Sequence, residues 1–239
     1  FDDCQDLVKG LFNDATFRDR HDLSAANSIN WARIMAQIVY YFTSALALGA
    51  PDRRFVFAVP TGNFGNVYAG YAARRMGLPI AKLVVGSNAN DILTRFLDTG
   101  RMETARVVET LSPSMDIQVS SNFERLLFDH YRRNGAAVAK AMNAFRRDGR
   151  VSFGVARWRA IGKLFEGHRL GDNGTQEVIA DTHARTGILL DPHGAVGLSA
   201  GLQGHTDPET VLIALAPAHP AKFPDAVEAA SGVRPDLPP

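Results

Sequence analysis

The hydrophobic residues of this chain repeat with two different periods. Between residues 34 and 48 they are spaced three or four apart, which predicts a long amphipathic helix with Asn30 as its N-cap. Apolar runs at 54–59, 80–85 and 211–216 predict strands, and the run at 80–85 is typical of a parallel strand covered on both faces. Because helical and strand-like segments alternate, the sequence predicts an α/β fold.

The same spacing predicts further helices, and one stretch has no clear pattern. These helices are expected near 7–12, after the loop at 60–66 as far as 76, and near 91–98, 121–131, 135–147, 175–185 and 223–230. Ser121 and Glu124 have the spacing of a capping box, while the role of Asn122 is left open. Residues 151–173 show no clear period, and we expect them to be largely irregular.

The composition is that of an ordinary globular protein. The 239 residues are 46% hydrophobic and 21% charged with a net charge of +1, so bulk electrostatics suggest neither a nucleic-acid partner nor a membrane surface. No apolar run approaches the roughly 20 residues that span a bilayer. The single cysteine, Cys4, excludes an intrachain disulfide and fits a reducing cytoplasm. Because the chain opens at Phe1 without an initiator methionine, we expect a fragment of a longer protein.

Residues 60–66, Pro-Thr-Gly-Asn-Phe-Gly-Asn, form the most informative stretch and are called the Gly loop below. They lie between a predicted strand and a predicted helix, where backbone N–H groups and the helix dipole converge on an anion. Gly62 and Gly65 let the backbone approach such an anion, and Asn63 and Asn66 can add amide donors. A strand–turn–helix connection without a ligand is the alternative, and the loop alone does not decide between them.

Other polar residues are weaker candidates. Asn30 and Arg33 lie on one side of a helix start, where they would suit a carboxylate or phosphate. Taken alone, these two residues are better explained by capping for Asn30 and a solvated surface position for Arg33. His193 and His219 each lie in an expected compact turn. The histidines show no metal-ligand spacing, so we expect no metal site and expect them to pack or hydrogen-bond at strand ends. A Ser-His-Asp triad stays open, although no GxSxG motif is present.

Six segments together resemble one family. In order they are NSINWARI, PTGNFGN, KLVVGSNANDIL, ETLSPSMDIQVSSNFERLLF, DPHGAVG and AHPAKFP. In this order and spacing they resemble threonine synthases, and the resemblance covers essentially the whole chain. It implies a three-layer fold with an open, mostly parallel sheet flanked by helices, the tryptophan-synthase-β-like fold type II. It also implies pyridoxal 5'-phosphate (PLP) as cofactor, and the conversion of O-phospho-L-homoserine and water to L-threonine and phosphate.

The resemblance assigns roles to particular residues. It implies that the PLP phosphate is bound by five residues of the Gly loop: Gly62, Asn63, Phe64, Gly65 and Asn66. It makes Asn30 and Arg33 candidates for binding the substrate's phosphate or carboxylate. Pro217 stands where the family has a threonine that bonds the pyridine nitrogen, and Gly194 stands where the family often has threonine. At Pro217 a neighbouring group or water would have to replace the missing hydroxyl.

The Schiff-base lysine is not found in the expected context. The family carries it in a Ser-Phe-Lys-Asp type of motif, whereas none of the five lysines here lies in such a motif: Lys9, Lys82, Lys140, Lys163 and Lys222. We therefore expect that lysine upstream of Phe1, no catalytic residue in this chain, and an inactive chain on its own. Residues 1–239 are then the C-terminal portion of a threonine synthase catalytic domain.

Two alternatives to this interpretation remain. One is another PLP enzyme of the same fold, a threonine dehydratase or a cysteine synthase. The other is a non-catalytic phosphate- or nucleotide-binding module, although the Gly loop lacks the GxGxxG spacing of a dinucleotide site. The complete protein is expected to be cytoplasmic, a monomer or a homodimer, with a small-molecule substrate and neither nucleic-acid nor membrane partners.

Overall fold

The computed structural model describes residues 2–24 and 30–238 of the chain. Within these ranges the helices are α1 (Asp2–Asn13), α2 (Ala15–Arg20), α3 (Trp31–Ala47), α4 (Gly65–Arg75), α5 (Ile92–Thr99), α6 (Phe123–His130), α7 (Gly135–Asp148), α8 (Val155–Gly162), α9 (Asp172–Thr186), α10 (Pro192–Gly204) and α11 (Pro224–Ser231). The strands are β1 (Arg54–Pro60), β2 (Ile80–Ser87), β3 (Arg101–Glu103), β4 (Arg150–Ser152), β5 (Phe165–Arg169) and β6 (Thr210–Ala214). Residues 27–29 of the segment NSINWARI lie outside the described ranges.

A parallel sheet forms the middle layer of the molecule. Its strand order is β5-β2-β1-β6, and all three pairings are parallel. A small antiparallel pair, β3 with β4, stands apart from it. Helices cover both faces, since α10 packs on β1 and β2 from one side while α4 and α5 pack from the other. The predicted three-layer α/β arrangement is therefore confirmed.

The strand β1 is central because alternate residues serve two cores. Phe55, Phe57 and Val59 are completely buried in the larger cluster, whereas Val56 and Ala58 belong to a smaller one under α10. A strand buried on both faces loses the polar alternation of a half-exposed one, which explains its uniformly apolar sequence. All parallel strands end at the same edge of the sheet, so the Gly loop after β1 and the segment after β6 become neighbours.

The amphipathic helix predicted at residues 34–48 is α3, and its buried face is the predicted one. Ile34, Tyr41 and Ala45 are fully buried, and the ring of Tyr41 lies 4.7 Å from that of Phe57. Asn30 caps the helix, its side-chain oxygen accepting the N–H of Ala32 at 2.9 Å. The predicted N-cap is therefore confirmed.

The predictions for residues 151–173 and for the segment DPHGAVG were wrong. Residues 151–173 are not irregular, because they contain most of β4, all of α8 and β5, and the start of α9. The segment DPHGAVG is not a compact turn but the capped beginning of α10. Gly197 and Gly201 explain its low periodicity, since added Cβ atoms would lie 2.7 Å from Pro60 and from Ala58, so this helix packs directly on β1.

In the described ranges no helix combines the length and the hydrophobicity needed to cross a bilayer.

Candidate functional site

The Gly loop turns sharply between β1 and α4 at a strained residue. Phe64 has φ 61° and ψ 3°, the left-handed conformation that bulky residues rarely adopt. Its ring is 3% exposed and lies 5.3 Å from the ring of Phe123 and 5.7 Å from that of Phe165. The aromatic core therefore holds the turn in place, and only the backbone of Phe64 is available to a ligand.

The backbone N–H groups of the loop have no protein acceptor. Among the described residues no oxygen accepts the N–H of any residue from Gly62 to Asn66. These donors surround the N-terminus of α4, an 11-residue helix whose dipole adds positive potential there. Unpaired donors next to a buried strand end are costly without a partner. The loop therefore has the chemistry of an anion cradle.

The asparagines of the loop have different partners. The Oδ1 of Asn63 accepts the hydroxyl of Ser121 at 3.3 Å. The main-chain oxygen of Asn66 accepts the Tyr41 hydroxyl at 2.8 Å, while its Oδ1 is buried without a partner among the described residues. Burial raises the pKa of Tyr41 well above its ordinary value, so this phenol stays a neutral donor.

A cavity of about 550 Å³ lies beside the loop, at the carboxyl edge of the sheet. It is lined by residues of α3, the Gly loop and the segment after β6: Arg33, Ala36, Gln37, Tyr40, Asn66, Leu215, Ala216 and Pro217. Three predicted site residues, Arg33, Asn66 and Pro217, therefore share one cavity. Asn30 caps α3 instead and is not part of this lining within the described chain.

Gln37 is a cavity residue that the sequence did not single out. It lies four residues after Arg33 and hence on the same side of α3. Its Oε1, like the Oδ1 of Asn66, is buried without a hydrogen-bond partner among the described residues. Two unpaired amide oxygens on residues of one cavity indicate a ligand that donates hydrogen bonds to them. Its spacing of four residues from Arg33 was the sequence signal that could have identified Gln37 as a site residue.

The histidine of DPHGAVG is a structural residue at the edge of this region. His193 is 4% exposed, and its Nδ1 donates to Asp191 Oδ2 at 2.7 Å. Its Nε2 accepts the backbone N–H of Ser114 at 3.3 Å. His193 is thus hydrogen-bonded at the start of α10 and not at a strand end, and its Nε2 partner is a backbone amide where a triad would place a hydroxyl. Gly194 helps Asp191 cap α10, donating its N–H to Oδ1 at 2.9 Å.

The predicted capping box at Ser121 and Glu124 was wrong. The helix α6 has Asn122 as its N-cap, with no capping bond from that side chain. The hydroxyl of Ser121 bonds to the loop residue Asn63 instead. This segment therefore belongs to the surroundings of the Gly loop.

The lysines whose side chains the structure describes lie outside the cavity lining. Lys82 pairs with Glu166 at 3.2 Å, on the strands β2 and β5. Burial alone would raise the pKa of Glu166, but hydrogen bonds from His168 and Lys82 outweigh it and lower that pKa. Lys222 is exposed in the short 3₁₀ turn Pro220–Lys222. No described lysine is placed to react with a ligand in the cavity.

Known proteins of one family are similar to this chain. Residues 194–239 match a family model described as "Threonine synthase, C-terminal". The threonine synthase of Pseudomonas aeruginosa is 52% identical over 239 residues, which cover 100% of this chain and 51% of the relative. Over its whole length the chain is similar to threonine synthases. It spans about half the length of the curated relatives it matches.

Solved structures show the same similarity and define the fold. The crystal structure of PLP-bound threonine synthase from Brucella melitensis has a TM-score of 0.93 at 52% identity, over 99% of this chain and 51% of that chain. Threonine deaminase isoform 2 from Solanum lycopersicum, at 14% identity with a TM-score of 0.50 over 84% of this chain and 50% of that chain, shares the fold alone. The predicted tryptophan-synthase-β-like fold type II is therefore confirmed.

Two of the segments that resemble threonine synthases line one cavity, together with the residue before a third. Arg33 comes from NSINWARI, Asn66 from PTGNFGN, and Pro217 directly precedes AHPAKFP. Asn66 and Pro217 are far apart in sequence but meet because β1 and β6 are adjacent parallel strands. The cavity is therefore the candidate functional site of this chain.

Proposed function

We propose that this chain is the C-terminal portion of a PLP-dependent threonine synthase, and that it supplies the site for the cofactor phosphate. The complete protein, meaning the longer protein that contains this chain, would convert O-phospho-L-homoserine and water to L-threonine and phosphate. The single observation that carries the proposal is the run of unpaired N–H donors from Gly62 to Asn66. The similarity to the PLP-bound threonine synthase of Brucella melitensis supports PLP as the source of the anion.

The Gly loop fits the phosphate of PLP. Its donors lie at the N-terminus of α4, which favours a doubly charged phosphate over a neutral group. The phosphate also requires close backbone approach, which Gly62 and Gly65 permit. When bound, PLP supplies an electron sink for carbanions on the substrate. The loop holds and orients this group and takes no part in proton transfer.

The cavity residues then have distinct proposed roles. Arg33 offers a guanidinium that suits the carboxylate or phosphate of the substrate, and Asn30, at the start of the same helix, is proposed to assist it. The amides of Asn66 and Gln37 would orient polar groups of the cofactor or substrate. Pro217 has no hydroxyl to offer a pyridine nitrogen, so that position contributes shape only.

The reacting lysine is proposed to lie in the part of the complete protein that precedes this chain. In this view the 239-residue chain binds the phosphate of the cofactor but does not react with its aldehyde. The proposed role in amino-acid biosynthesis supports a cytoplasmic location. We propose a monomer or a homodimer for the complete protein, acting on a small-molecule substrate.

Two measurements test this function. The complete protein should release phosphate from O-phospho-L-homoserine, and no release would exclude threonine synthase and favour another PLP enzyme of this fold. The 239-residue chain, incubated with PLP and then borohydride, should show no lysine carrying the cofactor by mass spectrometry. A reduced adduct on one specific lysine of this chain would overturn the proposal that the reacting lysine precedes this chain in the complete protein.

A further inference from the structure

The Gly loop is braced on its outer side by residues 112–122, called the clamp segment below. The hydroxyl of Ser120 donates to the main-chain oxygen of Gly62 at 2.8 Å. A Cβ at Gly62 would lie 2.6 Å from the main-chain oxygen of Ser114, so the two backbones are in direct contact. The clamp segment carries most of the family-like stretch ETLSPSMDIQVSSNFERLLF, to which the proposed function assigns no role.

These contacts determine where the donors of the Gly loop point. Both the backbone N–H and the side-chain amide of Asn122 donate to the main-chain oxygen of Asn63 at 3.1 Å. In a trans peptide the C=O of one residue and the N–H of the next point in opposite directions. Fixing the oxygens of Gly62 and Asn63 toward the clamp segment therefore aims the N–H groups of Asn63 and Phe64 away from it, toward the anion site.

One carboxylate ties the clamp segment to the sheet. Asp116 Oδ1 accepts the side-chain amides of Asn88 at 2.7 Å and Asn90 at 2.9 Å, and the Thr110 hydroxyl at 2.7 Å. Its Oδ2 accepts the backbone N–H of Thr110 at 2.9 Å. Asn88 and Asn90 are 1% and 5% exposed and follow directly after β2, the strand beside β1. A buried network of this kind specifies one arrangement, because a missing partner leaves the others unsatisfied.

We propose that Asp116 is a positioning residue for the cofactor phosphate. It touches neither the Gly loop nor the cavity lining, but it fixes the clamp segment, which in turn fixes the peptide orientations of Gly62 and Asn63. This inference rests on the proposed function, because it takes the anion of the Gly loop to be the phosphate of PLP. Donors that contact a ligand directly keep a precise orientation only when neighbouring residues hold them in place.

The test compares two cofactors that differ only in the phosphate. In the complete protein, D116N should raise the Kd of PLP about 10- to 100-fold, the usual cost of losing an outer support of a binding site. The Kd of pyridoxal, which lacks the phosphate, should stay unchanged. Both constants follow from the visible absorbance of the bound cofactor during titration. An equal loss for PLP and pyridoxal would mean a general structural role and would overturn the inference.

A matched control separates positioning from stability. T94V removes another buried hydrogen bond near the end of β2, from Thr94 Oγ1 to Ser87 Oγ at 2.9 Å, without touching the clamp segment. It should lower the melting temperature and leave the ratio of the two Kd values unchanged. A shift of that ratio in T94V as large as in D116N would overturn the inference.

A second variant keeps the test decisive if D116N does not fold. S120A removes only the hydroxyl that holds the oxygen of Gly62, and it should lower the preference for PLP over pyridoxal in the same direction. If S120A kept the wild-type preference for PLP over pyridoxal, the proposal that the clamp segment orients the donors of the Gly loop would be contradicted. A wild-type protein that binds PLP no more tightly than pyridoxal would instead show that the proposed phosphate site itself is wrong.

Discussion

Replacing Gly62 by alanine tests the contact between the Gly loop and the clamp segment most directly. The φ of Gly62 is not in the left-handed region, so alanine is allowed by the backbone and only space is at issue. The new Cβ would lie 2.6 Å from the oxygen of Ser114 and 3.3 Å from the Cα of Met115. Real Cβ atoms hardly ever approach closer than 3.0 Å, so the two backbones must separate by at least 0.4 Å, which is 3.0 minus 2.6.

The expected cost follows from this displacement. Overpacking against backbone costs about 1–3 kcal/mol. The smaller entropy of an unfolded alanine offsets about 0.4–1 kcal/mol of that cost. With the midpoints of these ranges, about 2 and about 0.7 kcal/mol, we expect G62A to lose about 1.3 kcal/mol in the free energy of unfolding by urea titration. Because the shift also disturbs the donors of the loop, its Kd for PLP should rise at least about tenfold, which corresponds to about 1.4 kcal/mol.

A glycine in open space provides the control. Gly162 is the last residue of α8, and nothing lies within 4 Å of an added Cβ there. G162A should be neutral or stabilise by up to about 1 kcal/mol, since alanine is the better helix former, and should bind PLP like wild type. If G62A matched G162A in both its Kd for PLP and its free energy of unfolding, the contact with the clamp segment would contribute to neither quantity, and the predicted effect of G62A would be refuted.

Three other changes have defined outcomes. Y41F removes the hydroxyl that donates to the oxygen of Asn66 and should cost about 1 kcal/mol in urea unfolding, whereas no loss would mean that the bond contributes nothing. N66A removes a buried unpaired oxygen, so the cofactor-free protein should unfold at higher urea while PLP binding weakens; weakened stability would contradict this. The pKa of Glu166 is lowered, so its contribution is present above the ordinary value of 4.5 and is lost as pH falls through the lowered value. E166Q should therefore flatten the acid side of the stability–pH curve, and an unchanged curve would exclude the Glu166 carboxylate as its source.

Much of the fold could be predicted because its signals are local. The helix α3 carries its own apolar face, and β1 is buried on both sides, so periodicity alone identified both. The strand β5 was missed because its sequence Phe-Glu-Gly-His-Arg becomes a strand only through pairing with β2 at the sheet edge. The helix α10 was missed because glycines that let it approach β1 also remove its helical period.

Site residues were likewise predicted where their signal is local in the sequence and missed where it depends on contacts between distant segments. The Gly loop was predicted because a strand, two glycines and a helix start are consecutive in the chain. Gln37 was missed because it becomes a cavity residue only when α3 lies beside the end of β6. Ser121 was assigned to a cap because its bond to Asn63 joins residues 58 apart, which spacing cannot show.

The left-handed turn at Phe64 has a consequence for the rate at which a ligand enters. The ring of Phe64 is buried between Phe123 and Phe165, so the loop could relax only by withdrawing an aromatic side chain from the core. The loop therefore holds its shape before any ligand arrives, and binding costs little conformational entropy. Association then requires no loop closure, so encounter and desolvation, rather than folding of the loop, determine how fast the anion is captured.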